Sequence, residues 1–168
     1  VIVLKNAISP IKQPSNKSKR IKHKKYICTI GRPSYQKNTE MLIEVFRLVQ
    51  KKYKNIHLYI VGAGEYSPSL NNIKKLIIKK NLSDHITILP WVKRDEAMAI
   101  IKYSQVYVST SRYEGMPYAV IESLCLKTPC VLTNCDGNKD LIIDNKTGYL
   151  INDQDQKVMS KKICTLLE

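Results

Sequence analysis

From Tyr26 to Leu167 the chain alternates short β-branched and aromatic runs with longer amphipathic ones, and this alternation restricts its fold more than any other feature. Runs rich in Val, Ile, Tyr and Thr read as strands at 26–30, 56–61, 86–89, 106–109, 130–133 and 149–151. Between and after them, apolar residues at helical spacing predict helices over 39–53, 70–80, 95–103, 118–126 and 156–167, with a short one near 139–143. A strand followed each time by a helix returns to the sheet parallel to its predecessor, so the pattern predicts an α/β doubly wound parallel sheet. Ligands of such sheets bind outside the carboxyl ends of the strands, which directs attention to the loops after Ile30, Val61, Leu89 and Ser109.

The loop after Ser109 is the most informative of these. Glu114 and Glu122 bracket the run Glu114-Gly115-Met116-Pro117-Tyr118-Ala119-Val120-Ile121-Glu122, a Glu-x7-Glu spacing between an apolar strand and an apolar helix. Pro117 suits the first helical position, which leaves Glu114 in the connecting loop and Glu122 in the second helical turn. A helix N-terminus presents N–H groups and the positive end of a dipole to whatever lies above the sheet, so an anion is favoured there. Acids beside an anion site call for a hydroxyl-rich ligand, because a carboxylate accepts paired hydrogen bonds from adjacent sugar or ribose hydroxyls. The other readings are a surface turn acid for Glu114 and, for Glu122, a helix acid satisfied by a local Lys or backbone group.

The loop after the first strand, Gly31-Arg32-Pro33-Ser34-Tyr35-Gln36-Lys37-Asn38, offers a flexible turn and two cations five residues apart, enough to reach around a diphosphate. In a chain this basic, Arg32 and Lys37 otherwise read as ordinary surface charges. Gly62-Ala63-Gly64 lacks the third glycine of the dinucleotide fingerprint and follows the second strand, so it reads as a close-approach turn. Pro90-Trp91-Val92 supplies a wall against which a base could lie, the competing reading of Trp91 being a partly buried packing residue. Asp95 is expected to cap the helix that follows, and Arg112 to be an exposed loop charge. Asp153-Gln154-Asp155 has the spacing of a metal-binding Asp-x-Asp, but it opens the last helix, where acids stabilise the N-terminus without a metal.

Composition sets the outer limits. At 168 residues and 43% hydrophobic, the chain has the material for one domain with a sizeable core. No apolar run approaches the roughly 20 residues that span a bilayer, and Val1 to Leu4, read as a short strand, is too short for a signal-peptide core. Residues 9–24, with Pro10, Pro14 and many Ser, Asn and Lys, read as an exposed linker, so the folded body is expected from residue 25. The first residue is not Met, which suggests a piece of a longer protein. Cys28, Cys125, Cys130, Cys135 and Cys164 contain no Cys-x2-Cys pair and read as thiols in a reducing, cytoplasmic compartment. His23, His57 and His85 are scattered along the chain, and no metal site is expected. The net charge of +14, with Lys and Arg crowded over 12–25, is a solvated surface or a contact for anionic lipid at the inner face of a membrane. Aromatic residues do not interleave with the basic run, Tyr26 at its end excepted, so nucleic acid is not an expected partner.

Gly31-Arg32 with Lys37, Val61-Gly62-Ala63-Gly64, the Glu114 to Glu122 run and Gly148-Tyr149-Leu150-Ile151 together resemble the C-terminal domain of a retaining GT-B glycosyltransferase of family four, group 1, over residues 26–167. The resemblance implies a Rossmann-like domain, one half of a GT-B fold, that binds a nucleoside-diphosphate sugar such as a UDP-sugar and needs no metal or other cofactor. It divides the chain into an interdomain strand and basic linker, 1–24, and a nucleotide-sugar-binding domain, 25–168. It implies that Arg32 and Lys37 neutralise the diphosphate of the donor, that Glu122 binds ribose hydroxyls, and that Glu114 lies at the transferred sugar; Arg32, Lys37 and Glu114 are the expected catalytic residues. Gly31, Trp91, Val92, Gly115, Met116 and Tyr118 are expected to line the donor. A separate N-terminal domain would supply the acceptor site for a glycan or lipid-linked acceptor, so this stretch alone is expected to be inactive. Pro117, which has no N–H, Asn38, where relatives often have Gly, and Asp140, where a Glu is common, depart from the pattern. The alternative is a non-catalytic nucleotide-binding or interaction module of the same fold.

Overall fold

Apolar side chains that alternate along each strand give a sheet two hydrophobic faces, and helices must cover both. In the computed structural model, which describes residues 7–168, strands β1 (Tyr26–Ile30), β2 (His57–Val61), β3 (Ile86–Leu89), β4 (Val106–Ser109), β5 (Cys130–Thr133) and β6 (Tyr149–Ile151) form one parallel sheet in the order β3-β2-β1-β4-β5-β6. Ile27, Leu58, Ile60, Val106, Val108 and Val131 face a core closed by helices α1 (Thr39–Lys52), α2 (Leu70–Lys79) and α6 (Gln156–Leu167). The neighbours of those residues, Tyr26, Cys28, Tyr59, Val61, Tyr107 and Leu132, face a second core closed by α3 (Arg94–Lys102) and α4 (Tyr118–Cys125). This is the Rossmann-like arrangement, and the expected doubly wound sheet is the observed one. Burial raises the Cys28 and Cys130 thiols to about 12, as inert core groups.

Most elements lie within a residue of their expected ranges, but one helix and one cap differ. The short helix α5 spans Asp136–Lys139 rather than 139–143, because its first turn is drawn against the β4–α4 loop by a Gly137 N–H bond to the Glu114 carbonyl. Asp95 lies in the first turn of α3, whose N-cap is Lys93, so it favours the helix dipole without capping. The expected strand over Val1 to Leu4 lies outside the described residues. Among the described residues no helix is long and apolar enough to cross a membrane.

The stretch expected as an exposed linker is instead a strap laid along α3 and the amino end of β2. Ile21 is buried and Ile11 partly so, both in the core beneath α3 and α4. Ser18 Oγ donates to Glu96 Oε1 at 2.7 Å, and the carbonyls of Pro14 and Ser15 accept from Lys102 Nζ and the Tyr103 hydroxyl, both at 2.9 Å. The basic, Pro-containing composition hid these two apolar anchors and the side chains that satisfy the strap backbone.

The strap ends in a cluster that brings together all three histidines, which are far apart in sequence. The His23 ring stacks on His57 at 3.6 Å between centroids, and His23 Nδ1 and the Lys22 N–H both bond the Tyr59 hydroxyl. His57 Nε2 pairs with Thr87 Oγ1 at 2.8 Å, and burial, with His23 and His85 beside it, pushes the His57 imidazole down to about 4. The unfolded chain therefore binds this proton more readily, so stability is complete above about pH 6.5 and is lost as the pH falls toward about 4. We expect the melting temperature to drop by several degrees between about pH 7 and about pH 5. In His57→Gln the drop should shrink; an unchanged slope in that variant would show that His57 is not its source.

Candidate functional site

After β1 the chain runs to α1 on one face of the sheet, and after β4 it runs to α4 on the other. Because β1 and β4 are neighbours, loops 31–38 and 110–117 part above their carboxyl ends and open a crevice at the switch point of the sheet. Gly31, at φ 149, and Gly62, at φ 96, let the strand ends approach: a Cβ on Gly62 would lie 3.6 Å from the Gly31 backbone. A Cβ on Gly31 would lie 3.2 Å from Cε of Lys37, so the glycine gives the lysine stem its path across the strand end.

Asn38 follows at φ 47, a left-handed position that Asn tolerates and where Gly would be unstrained, which accounts for Asn as a substitute. The Asn38 amide donates to Gln154 Oε1 at 2.8 Å and accepts from Arg112 Nη2 at 3.0 Å, while Thr110 Oγ1 donates to the carbonyls of Lys37 and Asn38. Arg112, expected as a free loop charge, therefore fastens the two loops, with its guanidinium 4.5 Å above the Tyr35 ring.

At the centre of the crevice Lys37 Nζ donates to Glu114 Oε1 at 2.6 Å, with the Glu114 side chain 7% exposed. Gln36 Nε2 reaches the other oxygen of Glu114 at 3.4 Å. The Glu114 carbonyl accepts from the Gly137 N–H at 3.0 Å, and a Cβ on Gly137 would lie 2.6 Å from the Gly115 carbonyl carbon. Gly137 is thus a shelf on which only glycine lets the acid-bearing loop rest. Sequence reasoning missed it, because residue 137 lies before the short helix expected near 139–143 and the Glu114–Gly115 turn it meets is more than 20 residues away in sequence.

Glu122, 12% exposed in its side chain, accepts from Arg94 Nε at 3.1 Å. Its partner is an arginine from another helix, not the local Lys or backbone group considered as an alternative, and nothing in the sequence marked Arg94. Each carboxylate of the Glu-x7-Glu run therefore has its own cation. Trp91 is 78% exposed, which removes the packing reading, and its Cδ1 would lie 3.7 Å from a Cβ on Gly64; Val92 turns partly into the core. Arg32 is exposed and has no ion pair among the described residues, so the structure brings Lys37, but not Arg32, to Glu114. Pro117 is the N-cap of α4 rather than its first helical residue, with φ −74 and ψ 117, because an extended backbone there carries the chain up from Gly115. The N–H groups of Tyr118 and Ala119 have no acceptor among the described residues, while Met116 is engaged.

Asp155 caps α6 by accepting from the N–H groups of Lys157 and Val158 at 2.8 and 3.0 Å; the side chain of Asp153 lies outside the described residues. Among the described residues no three His, Cys, Asp or Glu side chains converge on a point where a metal could bind. Asp140 lies exposed just after α5.

Fold and crevice define a doubly wound domain with a charged crevice at its switch point. The family model described as glycosyl transferases group 1 matches residues 11–168, and the chain belongs to this family. It is 28% identical over 155 residues to an uncharacterised glycosyltransferase of Haemophilus influenzae, covering 92% of this chain and 42% of the relative. It is 32% identical over 153 residues to poly(ribitol-phosphate) α-N-acetylglucosaminyltransferase of Staphylococcus aureus, covering 90% of this chain and 30% of the relative. The chain thus spans less than half the length of these curated relatives. Among solved structures, an S. aureus TarM mutant in complex with fondaparinux, α-GlcNAc-glycerol and UDP is similar with a TM-score of 0.79 and 31% identity, over 96% of this chain and 32% of that one. The C-terminal domain of a group 1 glycosyl transferase, LpcC, from Francisella tularensis shares the fold with a TM-score of 0.78 at 22% identity, over 89% of this chain and 78% of that one.

Two glycine substitutions separate the shelf from the loop it carries. Gly137→Ala should destabilise the chain by about 1–3 kcal/mol through overpacking and displace Glu114, whereas Gly115→Ala, whose Cβ meets nothing within 4 Å, should leave stability nearly unchanged. Denaturant unfolding of the two variants reads the difference, and equal stabilities would contradict the shelf.

Proposed function

We propose that the chain is the donor-binding C-terminal half of a GT-B glycosyltransferase of family four, retaining in stereochemistry, which takes its sugar from a UDP-sugar. The Lys37–Glu114 contact in the switch-point crevice is the observation that carries this reading. It sets a cation and an acceptor side by side where a ligand would present phosphate and hydroxyls. A bound diphosphate offers Lys37 a doubly charged partner in place of Glu114, and the released carboxylate is then free to accept from hydroxyls of the donor sugar.

Arg32, exposed on the same loop, reaches the other side of the diphosphate. As the bond from sugar to phosphate lengthens, negative charge grows on the leaving diphosphate, and two fixed cations stabilise it there. The N–H groups of Tyr118 and Ala119, which have no acceptor among the described residues, act in the same direction. Glu122 holds the ribose hydroxyls, Trp91 and Val92 border the base, and Gly31, Gly115, Met116 and Tyr118 line the phosphates and sugar. No metal is needed, because Lys37 and Arg32 supply the positive charge. The transferred group is a hexose or an N-acetylhexosamine, and the acceptor is a glycan or lipid-linked glycan held by an N-terminal domain that these 168 residues do not include. The UDP in the TarM structure and the sugar transfer in the name of the S. aureus relative support this choice of donor. The enzyme works in the cytoplasm, and the exposed lysines of the strap hold it to the anionic inner face of the membrane.

Isothermal titration should detect UDP binding to the chain, and Lys37→Ala should weaken it by roughly 10- to 100-fold, the range for one lost hydrogen bond between charged groups. Failure of uridine, guanosine and adenosine diphosphates alike to bind the wild-type chain would overturn the donor-domain reading. The chain alone should transfer no sugar to an added acceptor, and robust transfer would contradict the division of the site between two domains.

A further inference from the structure

Arg94 stands at the first position of α3, where a cation opposes the positive end of the helix dipole, and its N-cap neighbour Lys93 makes no side-chain cap bond. The placement does little for the helix. Its Nε instead donates to Glu122 Oε1 at 3.1 Å across to α4, and its Nη groups bond nothing else among the described residues. The arginine side chain is 49% exposed, so as a helix staple the pair contributes about 0–1 kcal/mol. The two helices are already joined by the apolar cluster of Ile100, Ile101 and Val120.

The pair has a sharper consequence for the carboxylate. Glu122 is seven-eighths buried, so few directions remain from which a ligand can reach its carboxylate. Arg94 occupies one acceptor position on Oε1; Oε2 receives no donor among the described residues, so the carboxylate keeps most of its capacity. A planar guanidinium also fixes the direction in which the carboxylate plane faces, which a mobile ammonium would not.

We propose that Arg94 is the positioning residue of the ribose site: it holds the Glu122 carboxylate turned so that its open oxygen receives the ribose diol, and it thereby sets the preference for ribose over deoxyribose. The proposal rests on the nucleoside-diphosphate reading of the crevice. Arg94 acts through Glu122 rather than by touching the reacting atoms. It also places the β3–α3 loop in two roles, with Trp91 beside the base and Arg94 behind the ribose acid three residues later.

The test measures dissociation constants of UDP and 2′-deoxy-UDP for the wild type, Arg94→Ala, Arg94→Lys, Glu122→Gln and the double variant Arg94→Ala with Glu122→Gln. Trp91, the single tryptophan of the chain, serves as the fluorescence reporter and titration calorimetry as its check. The wild type should prefer UDP by about tenfold, the value of one charge-assisted hydrogen bond. Arg94→Ala should lose most of that preference with its melting temperature nearly unchanged, Arg94→Lys should recover part of it, and Arg94→Ala should add nothing in the Glu122→Gln background. An unchanged preference in Arg94→Ala, or an equal effect of Arg94→Ala with and without Glu122, would overturn the proposal while leaving the donor site intact. Failure of uridine, guanosine and adenosine diphosphates alike to bind the wild type would instead remove the reading on which it rests.

Discussion

The Lys37–Glu114 contact depends on a property of the sheet rather than of either residue. Strands β1 and β4 are hydrogen-bonded neighbours, yet their connections leave for opposite faces, so two loops that are 77 residues apart in sequence end on either side of one crevice. A lysine from one loop and a largely buried glutamate from the other meet there because both faces of the sheet must be covered. Everything else in the site supports that meeting. Gly31 and Gly62 bring the strand ends close, Asn38 and Arg112 lock the loops together, and Gly137 carries the acid-bearing turn.

The charges are arranged as exchangeable partners. A largely buried carboxylate left without a cation is costly, and a half-buried ammonium is not easily left without an anion, so each holds the other while the crevice is empty. On the function proposed above, a diphosphate ligand supplies the anion and its sugar the hydroxyl donors, a substitution that satisfies both groups at once. The same logic applies at Glu122, where Arg94 takes one acceptor position and leaves the rest of the carboxylate available. Stability alone does not account for either pair, because an ion pair with a partly exposed cation contributes little.

Much of this was legible before any coordinates. The alternation of strand and helix gave the doubly wound sheet, because crossover handedness leaves few other solutions, and all six strands were located to within a residue. The Glu-x7-Glu run and the Gly31 to Asn38 loop pointed to the two strand ends above which Lys37 and Glu114 meet. Arg94 and Gly137 were not visible, since each acts through a partner far away in sequence and its own local pattern is that of an ordinary helix residue. The strap was hidden for the opposite reason: residues 9–24 have the composition of a linker, and only Ile11 and Ile21 tie them to the core. The histidine cluster likewise exists only in three dimensions, because strand order places the starts of β1, β2 and β3 side by side.

The exchange of partners at the switch point is tested most directly by a crystal structure of the chain grown with UDP. The account predicts the diphosphate above the carboxyl ends of β1 and β4, with Lys37 Nζ moved from Glu114 to a phosphate oxygen and the ribose hydroxyls on Glu122. UDP lodged elsewhere, for instance in the groove of about 610 Å³ between Leu124, Leu141 and Tyr149 at the other end of the sheet, with Lys37 still on Glu114, would contradict it.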